Sequence, residues 1–230
     1  MRLPILAIQL AILIASLSVV VLEVWNFPYP SQLAHPFLSP KERWPEDQVK
    51  NWVESGVFEP AFVKFFMRDP DRTIPPGNNL VSPADGVIKE IVVSETKTYF
   101  VVGLSFWDVH VVRTPVAGTV TSVEEEGEVI FRDASETVNL AFLREKASPV
   151  QKVVTIRTDD GVEYKVRLIT SWWASRLKVS ARVGQRLSKG ARVGRILLGS
   201  SVVIDAPNSD VFAVKVGARV VAGETVICER

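Results

Sequence analysis

The 230-residue chain contains very little cysteine and histidine. Its one cysteine, Cys228, excludes an intrachain disulfide framework and any zinc or iron–sulfur site built from several cysteines. Its two histidines, His35 and His110, exclude a three-histidine metal centre. No metal site is therefore predicted. The chemistry has to come from hydroxyl groups, carboxylates, very few imidazoles, or a group that the chain makes from itself.

The chain also has no excess of charge of one sign. It contains 27 Lys and Arg residues against 26 Asp and Glu residues, a net charge of +1, and so lacks the basic field of a typical nucleic-acid binder. No nucleic-acid partner is predicted. The GxxxxGK[ST] phosphate loop and the GxSxG nucleophile elbow are absent from the sequence. Nothing resembles a βαβ series, so a Rossmann or TIM-barrel fold is not expected.

One long apolar run is present near the N-terminus. Residues 3–22 carry no charge, and twenty helical residues span about 30 Å, the thickness of the hydrocarbon core of a bilayer. Trp25 and Tyr29 follow at the depth where amphipathic rings settle. Residues 1–25 are predicted to form a single-pass anchor in the cell membrane. A cleaved secretory signal and a buried core helix are the alternatives.

Proline is concentrated after this run, with ten of the 14 prolines between positions 28 and 83. Because proline removes hydrogen-bond donors and breaks helices, residues 26–80 are predicted to be mostly extended connector. Within the connector, residues 45–67 carry apolar side chains at spacings of three and four, with a break near Gly56 and Pro60. Two short amphipathic helices rich in Trp and Phe are predicted there. They lie either on a bilayer surface or on the core of the following domain.

Residues 81–230 are predicted to form a β-rich domain. Runs rich in Val, Ile and Tyr, each bounded by turn residues, predict strands at 87–93, 99–104, 119–123, 152–158 and 162–169. Asp160-Gly161 predicts a tight hairpin between the last two runs. Residues 183–190 are echoed 33 residues later by residues 216–223, each with a glycine near both ends. This weak repeat favours a mainly β fold, a pseudo-symmetric β sandwich or barrel.

Two segments of this domain carry polar residues suited to chemistry. Ser82-Pro83-Ala84-Asp85-Gly86 opens the first strand run, and its simpler interpretation is a proline–glycine turn. In residues 106–115, Asp108 and His110 would share one face of a strand. Asp108 could then orient the imidazole and raise its basicity. The simpler alternative is a core histidine with satisfied hydrogen bonds.

A third segment contains Gly199-Ser200 between apolar runs. A glycine at this place allows backbone strain, so that the next hydroxyl can approach the preceding carbonyl. A bulge or tight bend is the alternative interpretation.

These segments, in this order, resemble the phosphatidylserine decarboxylases, in particular their compact archaeal and bacterial form. The resemblance covers most of the chain, from about Phe65 to Ile227. It rests on six blocks: residues 65–72 (FFMRDPDR), 82–86 (SPADG), 108–115 (DVHVVRTP), 184–190, Gly199-Ser200 and 216–226.

The resemblance implies a decarboxylase that converts phosphatidylserine to phosphatidylethanolamine with a pyruvoyl group made from its own Ser200. The hydroxyl of Ser200 would attack the carbonyl of Gly199, and cleavage would leave a large chain, 1–199, bound to a small chain, 200–230. Asp85 is the implied base, or base-orienting group, for this self-cleavage. His110 is the implied proton donor or acceptor in decarboxylation. Weaker candidates, for substrate contacts, are Arg113, Asp108 and Ser201.

The implied partners are a phospholipid substrate and the bilayer that holds it, and the sequence leaves open a homo-oligomer. Two departures from the family pattern are visible. Arg113 stands where the larger bacterial and mitochondrial enzymes have a second histidine, and residues 169–176 replace a glycine and paired arginines. They motivate the alternative of a pseudoenzyme that does not process. Further alternatives are a membrane-tethered module like a lipoyl or biotinyl domain, and a decarboxylase of an archaeal-type serine phospholipid.

Overall fold

The structure, a computed structural model, describes residues 2–134, 136–171, 177–197, 200–208 and 211–229. The chain divides into two compact units, Met1–Val63 and Lys64–Arg230.

The first unit is helical. Helix α1 (Arg2–Asn26) contains the stretch Pro4–Trp25, which is long and apolar enough to cross a membrane, and none of that stretch is buried inside the protein. A buried core helix would be covered by other parts of the chain, so this alternative is wrong. A 3-10 helix (His35–Phe37) and the short helices α2 (Pro40–Arg43) and α3 (Glu46–Ser55) follow.

The helix pair predicted within residues 45–67 is confirmed. α3 ends at Gly56, whose φ of +72° is the left-handed conformation that glycine adopts at low cost. α4 (Pro60–Phe66) starts at the proline, which is favoured in a first helical turn. Phe62 of α4 packs edge-on against Trp44, with ring centroids 5.5 Å apart, and both rings are buried. Part of the aromatic content therefore forms a small core of its own.

The second unit is mainly β, as predicted. Its strands, in chain order, are Leu80–Val81 (β1), Gly86–Val93 (β2), Lys97–Gly103 (β3), Val111–Arg113 (β4), Gly118–Glu128 (β5), Arg132–Asp133 (β6), Glu136–Thr137 (β7), Pro149–Arg157 (β8), Glu163–Ser171 (β9), Leu177–Val179 (β10), Arg186–Leu187 (β11), Arg192–Ile196 (β12), Ser200–Pro207 (β13), Arg219–Val220 (β14) and Val226–Cys228 (β15). A 3-10 helix, Ala141–Glu145, follows β7.

One curled sheet of eight strands dominates this unit, in the order β11-β5-β8-β9-β13-β3-β2-β14. Its paired strands are antiparallel. Smaller sheets are formed by β10-β12-β4, β1-β15 and β6-β7. Each of the five predicted strand runs overlaps a strand of the large sheet. The predicted hairpin is also confirmed, because β8 and β9 pair with Arg157 opposite Glu163 and Gly161 has a φ of +85°.

Strand β13 lies near the middle of the large sheet and is buried on both faces. Val202 and Ile204 belong to the main core, whereas Val203 belongs to a second core on the other face, under Phe131 and Phe142. Burying such a side chain contributes about 1.5 to 3 kcal/mol, so this strand is among the most firmly held elements. Ser200, its first residue, is fixed at the backbone by that packing.

Candidate active site

Three strands bring the predicted self-cleavage residues to one end of the large sheet. β2 starts directly after Asp85, and its Val87 lies opposite Gly103 at the end of β3. β13 starts at Ser200, and its Ser201 lies opposite the same Gly103. Because neighbouring strands are about 4.8 Å apart, the backbones at Asp85 and Ser200 are separated by about 10 Å across β3.

The carboxylate of Asp85 is buried and held from two sides. Arg72 Nη2 donates to both of its oxygens, at 3.0 and 2.9 Å, and the backbone N–H of Ala222 donates to Oδ1 at 2.8 Å. The following residue has to be glycine, because a Cβ on Gly86 would lie 2.3 Å from the carbonyl oxygen of Gly103. The close approach of β2 to β3 therefore places Asp85 beside the end of β3. The segment 82–86 can therefore form the predicted proline–glycine turn and still present Asp85 for chemistry.

His110 lies just before β4 and is almost completely buried. Its Nδ1 is 2.9 Å from the backbone oxygen of Asp108. A carbonyl oxygen can only accept, so Nδ1 carries the proton and Nε2 of the neutral ring has the free lone pair. The ring of Phe66 covers the imidazole at a centroid distance of 4.0 Å. The backbone oxygen of His110 accepts from Ile196, at the end of the strand that leads towards Ser200.

The pKa of His110 is lowered to about 4, mainly because burial disfavours the charged ring. Asp108 opposes this shift, while Arg68 and Arg195 add to it. Asp108 therefore raises the pKa of the ring, as expected, but burial outweighs this effect and the net pKa is lowered. β4 begins only at Val111, so no strand face is shared, and the ring is oriented by the backbone oxygen of Asp108 instead of its carboxylate.

The carboxylate of Asp108 is engaged in its own loop. It accepts from the backbone N–H and the hydroxyl of Ser105, each at 2.7 Å, and forms an ion pair with Arg219. Although burial opposes it, these hydrogen bonds and Arg219 lower the pKa of Asp108. The side chain therefore closes the loop that carries His110, and both of its oxygens already accept hydrogen bonds.

Arg113 is likewise held by the protein. Its Nη1 donates to the carbonyl of Gly190 at 3.0 Å, and Nη2 donates to Asp69 at 2.8 Å and to the carbonyl of Pro70 at 3.2 Å. Burial lowers its pKa. Of the two roles open from the sequence, a lipid contact or a structural ion pair, this geometry favours the second.

Ser201 is buried in the middle of the sheet, paired through its backbone with Gly103 on one side and Ile169 on the other. It alternates with Val202 and so belongs to the face of Val203. Ser200 is described by its backbone alone, opposite Thr170 of β9. Gly199 and the replaced segment 172–176 lie outside the described residues.

Residues 65–72, one of the blocks that carry the family resemblance, contact several site residues. We call them the strap segment. Phe66 covers His110, Arg68 Nη2 donates to the carbonyl of Trp107 at 2.5 Å, and Arg72 binds Asp85. In the sequence, the strap segment shows only two aromatic residues followed by four charged residues within a proline-rich stretch. That pattern does not indicate which residues of the β domain the segment contacts.

The described residues contain no group of three or more His, Cys, Asp or Glu side chains arranged to hold a metal ion.

The burial of His110 predicts an acid-sensitive fold. Its pKa of about 4 lies below the ordinary value of 6.5, so the unfolded chain takes up a proton between these pH values and the folded chain does not. The stability that the neutral ring contributes is complete above pH 6.5 and is lost as the pH falls towards 4, by about 3 kcal/mol in total. The thermal unfolding midpoint should therefore drop between pH 7 and pH 5.

The measurement compares Ser200→Ala with Ser200→Ala/His110→Asn, so that chain cleavage does not enter. The thermal unfolding midpoint of the double variant should fall by less between pH 7 and pH 5 than that of Ser200→Ala. An equal loss in both proteins would assign the acid sensitivity to other groups.

The chain is similar in sequence to known proteins over most of its length. The sequence model of a family described as phosphatidylserine decarboxylase matches residues 60–228. A phosphatidylserine decarboxylase proenzyme of Solibacter usitatus is 33% identical over 171 residues, 74% of this chain and 79% of the relative. The proenzyme of the same name from Symbiobacterium thermophilum is 36% identical over 176 residues, 72% of this chain and 78% of the relative.

An archaeal protein is similar over a comparable length. It is provisionally named archaetidylserine decarboxylase proenzyme, comes from Methanocaldococcus jannaschii, and is 32% identical over 194 residues, 72% of this chain and 88% of the relative. No solved structure matches the chain at the significance required in these comparisons.

Proposed function

This chain belongs to the phosphatidylserine decarboxylase family, and we propose that it cleaves itself between residues 199 and 200 and then converts phosphatidylserine into phosphatidylethanolamine. The observation that carries the proposal is the meeting of Asp85, Gly103 and the start of β13 at one end of the sheet. The proenzyme names of the relatives support self-processing.

In the proposed cleavage the hydroxyl of Ser200 attacks the carbonyl of Gly199 and converts the peptide bond into an ester. Asp85 accepts the hydroxyl proton or orients the group that does. Elimination then releases the new carboxylate of Gly199 and leaves a dehydroalanine at position 200. Its hydrolysis releases ammonia and leaves a pyruvoyl group at the start of the small chain, 200–230.

The place of Ser200 fits such a group. The residues that follow it are registered against β3 on one side and β9 on the other, so position 200 stays fixed without a bond to residue 199. When present, the pyruvoyl group supplies a carbonyl that takes up the electron pair released with CO2.

His110 is proposed to move the proton that replaces the lost carboxylate. The ring is neutral at physiological pH because burial lowers its pKa to about 4. Its Nδ1–H is held by the backbone oxygen of Asp108, which fixes the tautomer and leaves Nε2 without a proton. Nε2 can therefore accept the proton that the ammonium group of the serine head group gives up, and then donate it to the carbon that has lost CO2. The covering Phe66 ring excludes water from one face of the imidazole.

We propose that residues 1–25 anchor the protein in the cell membrane. A substrate with acyl chains stays in the bilayer, so an enzyme held at the head-group plane meets it without extracting it. α1 has the length and hydropathy to span a bilayer. Exposed aromatic side chains in the same unit, at Trp25, Phe27 and Phe37, support contact with the interface. The predicted connector, residues 26–80, then leads to the predicted catalytic domain, 81–230, and the strap segment within it contacts residues of that domain.

We also infer that the β domain is a sandwich-like or barrel-like arrangement of two related halves. Gly184 and Gly217 both have a left-handed φ, at +81° and +88°. Gly184 donates to the carbonyl of Val120 in β5, and Gly217 donates to that of Ile88 in β2. β11 and β14 accordingly pair with β5 and β2 at the two edges of the large sheet.

A serine phospholipid of the archaeal type is the second candidate substrate. The specific observation that favours it is the similarity to the Methanocaldococcus jannaschii protein, whose name refers to archaetidylserine. The two lipids share the phosphoserine head group and differ in the chains and backbone that carry it. Assaying both lipids in matched vesicles decides between them.

The proposal predicts spontaneous cleavage of the purified full-length protein. Intact mass should give two chains, 1–199 and 200–230, the smaller one lighter by one ammonia than a peptide that starts with serine. Treating the protein with an amine and cyanoborohydride should add the amine to the small chain alone, because only that chain carries a ketone. A chain that stays whole after long incubation would identify a pseudoenzyme.

A further inference from the structure

The ion pair between Arg72 and Asp85 is unusual among the charged pairs of this domain because it is both buried and located at the proposed site. The two side chains are 9% and 13% exposed. By comparison, Arg186 and Asp159 form a pair with two parallel hydrogen bonds, at 2.7 and 2.6 Å, on side chains that are 65% and 73% exposed. Removing two charges from water is costly. A second pair of this unit, between Arg167 and Asp205, is also buried, at 7% and 3% exposed, so burial alone assigns no role to Arg72.

The contacts of Asp85 show what Arg72 contributes. The N–H of Ala222 reaches Oδ1, and among the described residues only Arg72 reaches Oδ2. A carboxylate held by one N–H alone keeps its freedom to rotate about the Cβ–Cγ bond. The guanidinium contact at both oxygens fixes that rotation, and therefore the direction of the remaining lone pairs of the carboxylate.

The strap segment has contacts to the β unit other than the Arg72 guanidinium. Asp69 of the strap binds Arg113, and Arg68 binds the carbonyl of Trp107, so the strap is fastened at two other points. Arg72 Nε is buried and has no hydrogen-bond partner among the described residues. Part of its donor capacity is thus not used by the scaffold.

We propose that Arg72 is a positioning residue for self-cleavage: it orients the carboxylate of Asp85 towards the bond between residues 199 and 200. This inference rests on the proposed function, in particular on the role of Asp85. Arg72 makes and breaks no bond itself. Once the chain is cut its task is complete, so it should affect the rate of maturation and not the turnover of the mature enzyme.

The test follows the cleavage of freshly purified, full-length protein over time by intact mass. Arg72→Gln should cleave about 100-fold more slowly than the unchanged protein, because a small misplacement of a reacting group has an effect of that size. Arg72→Lys should recover part of the rate, since an ammonium supplies the charge and one of the hydrogen bonds. Added guanidinium should accelerate cleavage of Arg72→Ala and leave Asp85→Asn uncut.

Arg186→Gln is the matched control, because it removes an arginine from an Arg–Asp pair at the surface. It should cleave at the unchanged rate, with or without guanidinium. Decarboxylation per cleaved molecule should be the same in all the Arg72 variants and in the control.

Each other outcome overturns the inference in a recognisable way. Unchanged cleavage in Arg72→Gln would remove the positioning role, and slow cleavage that neither lysine nor guanidinium improves would assign Arg72 to folding alone. Normal cleavage with reduced turnover would make Arg72 a substrate contact. If the unchanged protein stays whole, the proposed function itself fails, and if Asp85→Asn cleaves normally, the role of Asp85 fails and this inference with it.

Discussion

Replacing Ser200 by alanine is expected to leave a single uncut chain that releases no CO2 from phosphatidylserine. Alanine lacks the hydroxyl that attacks the preceding carbonyl, and it also lacks the oxygen whose elimination creates the ketone. Both self-cleavage and decarboxylation therefore depend on one atom. Intact mass after prolonged incubation, together with CO2 release from phosphatidylserine vesicles, measures the two losses in one sample.

Ser188→Ala is the matched control, since it removes an exposed serine hydroxyl from the same domain. It should cleave and turn over like the unchanged protein. Ser200→Ala should fold normally because its backbone position is fixed by the pairing of β13 with β3 and β9. Release of CO2 by an uncut Ser200→Ala chain would show that the electron sink lies elsewhere.

Changing His110 to asparagine is expected to lower decarboxylation per cleaved molecule by about 100-fold or more, the usual contribution of a positioned acid or base. Asparagine retains an N–H that can reach the backbone oxygen of Asp108, so the loop can keep its hydrogen bond. It cannot exchange a proton as imidazole does. The assay counts CO2 released per small chain, so that incomplete cleavage does not enter the result.

His35→Asn is the control, because it makes the same change at the second histidine of the chain, which lies in the helical unit. It should leave turnover unchanged. Full turnover in cleaved His110→Asn would assign the ring of His110 to packing under Phe66. A loss of cleavage in addition to turnover would extend the role of the ring to processing.

Much of the β architecture was predictable because its strands follow local rules. The runs that became β2, β3, β5, β8 and β9 combine β-branched residues with turn residues at both ends, and both features act over a few neighbouring positions. β5 extends to Glu128, well past its predicted end at 123, because its outer half has charged side chains and is held by backbone pairing with β8. Backbone hydrogen bonds do not depend on side-chain type, so this part of β5 shows no apolar alternation in the sequence from which it could be predicted.

The sequence allowed candidate site residues to be named, but not their arrangement in space. Asp85 and His110 stand out by type and context, but the partner of Asp85 is 13 residues away in a segment without periodic pattern. The prediction that the carboxylate of Asp108 orients the His110 ring was wrong for a related reason. A backbone carbonyl is present at every residue, so the sequence gives no sign that the carbonyl of Asp108 holds the ring. Burial, which lowers the pKa of the ring, arises from the strap segment and likewise depends on tertiary contacts.

The central position of β13 has a consequence for how the mature protein is maintained. The part of the chain after residue 199 supplies β13, β14 and β15, which pair with strands from the part before it. The precursor folds with all these strands on one covalent chain, whereas the proposed two-chain product, once unfolded, would have to reassemble from two molecules. Its recovery then depends on concentration, and its lifetime depends on the barrier to unfolding. The precursor can therefore fold as a single molecule, whereas its two-chain product would refold far less readily once it has unfolded.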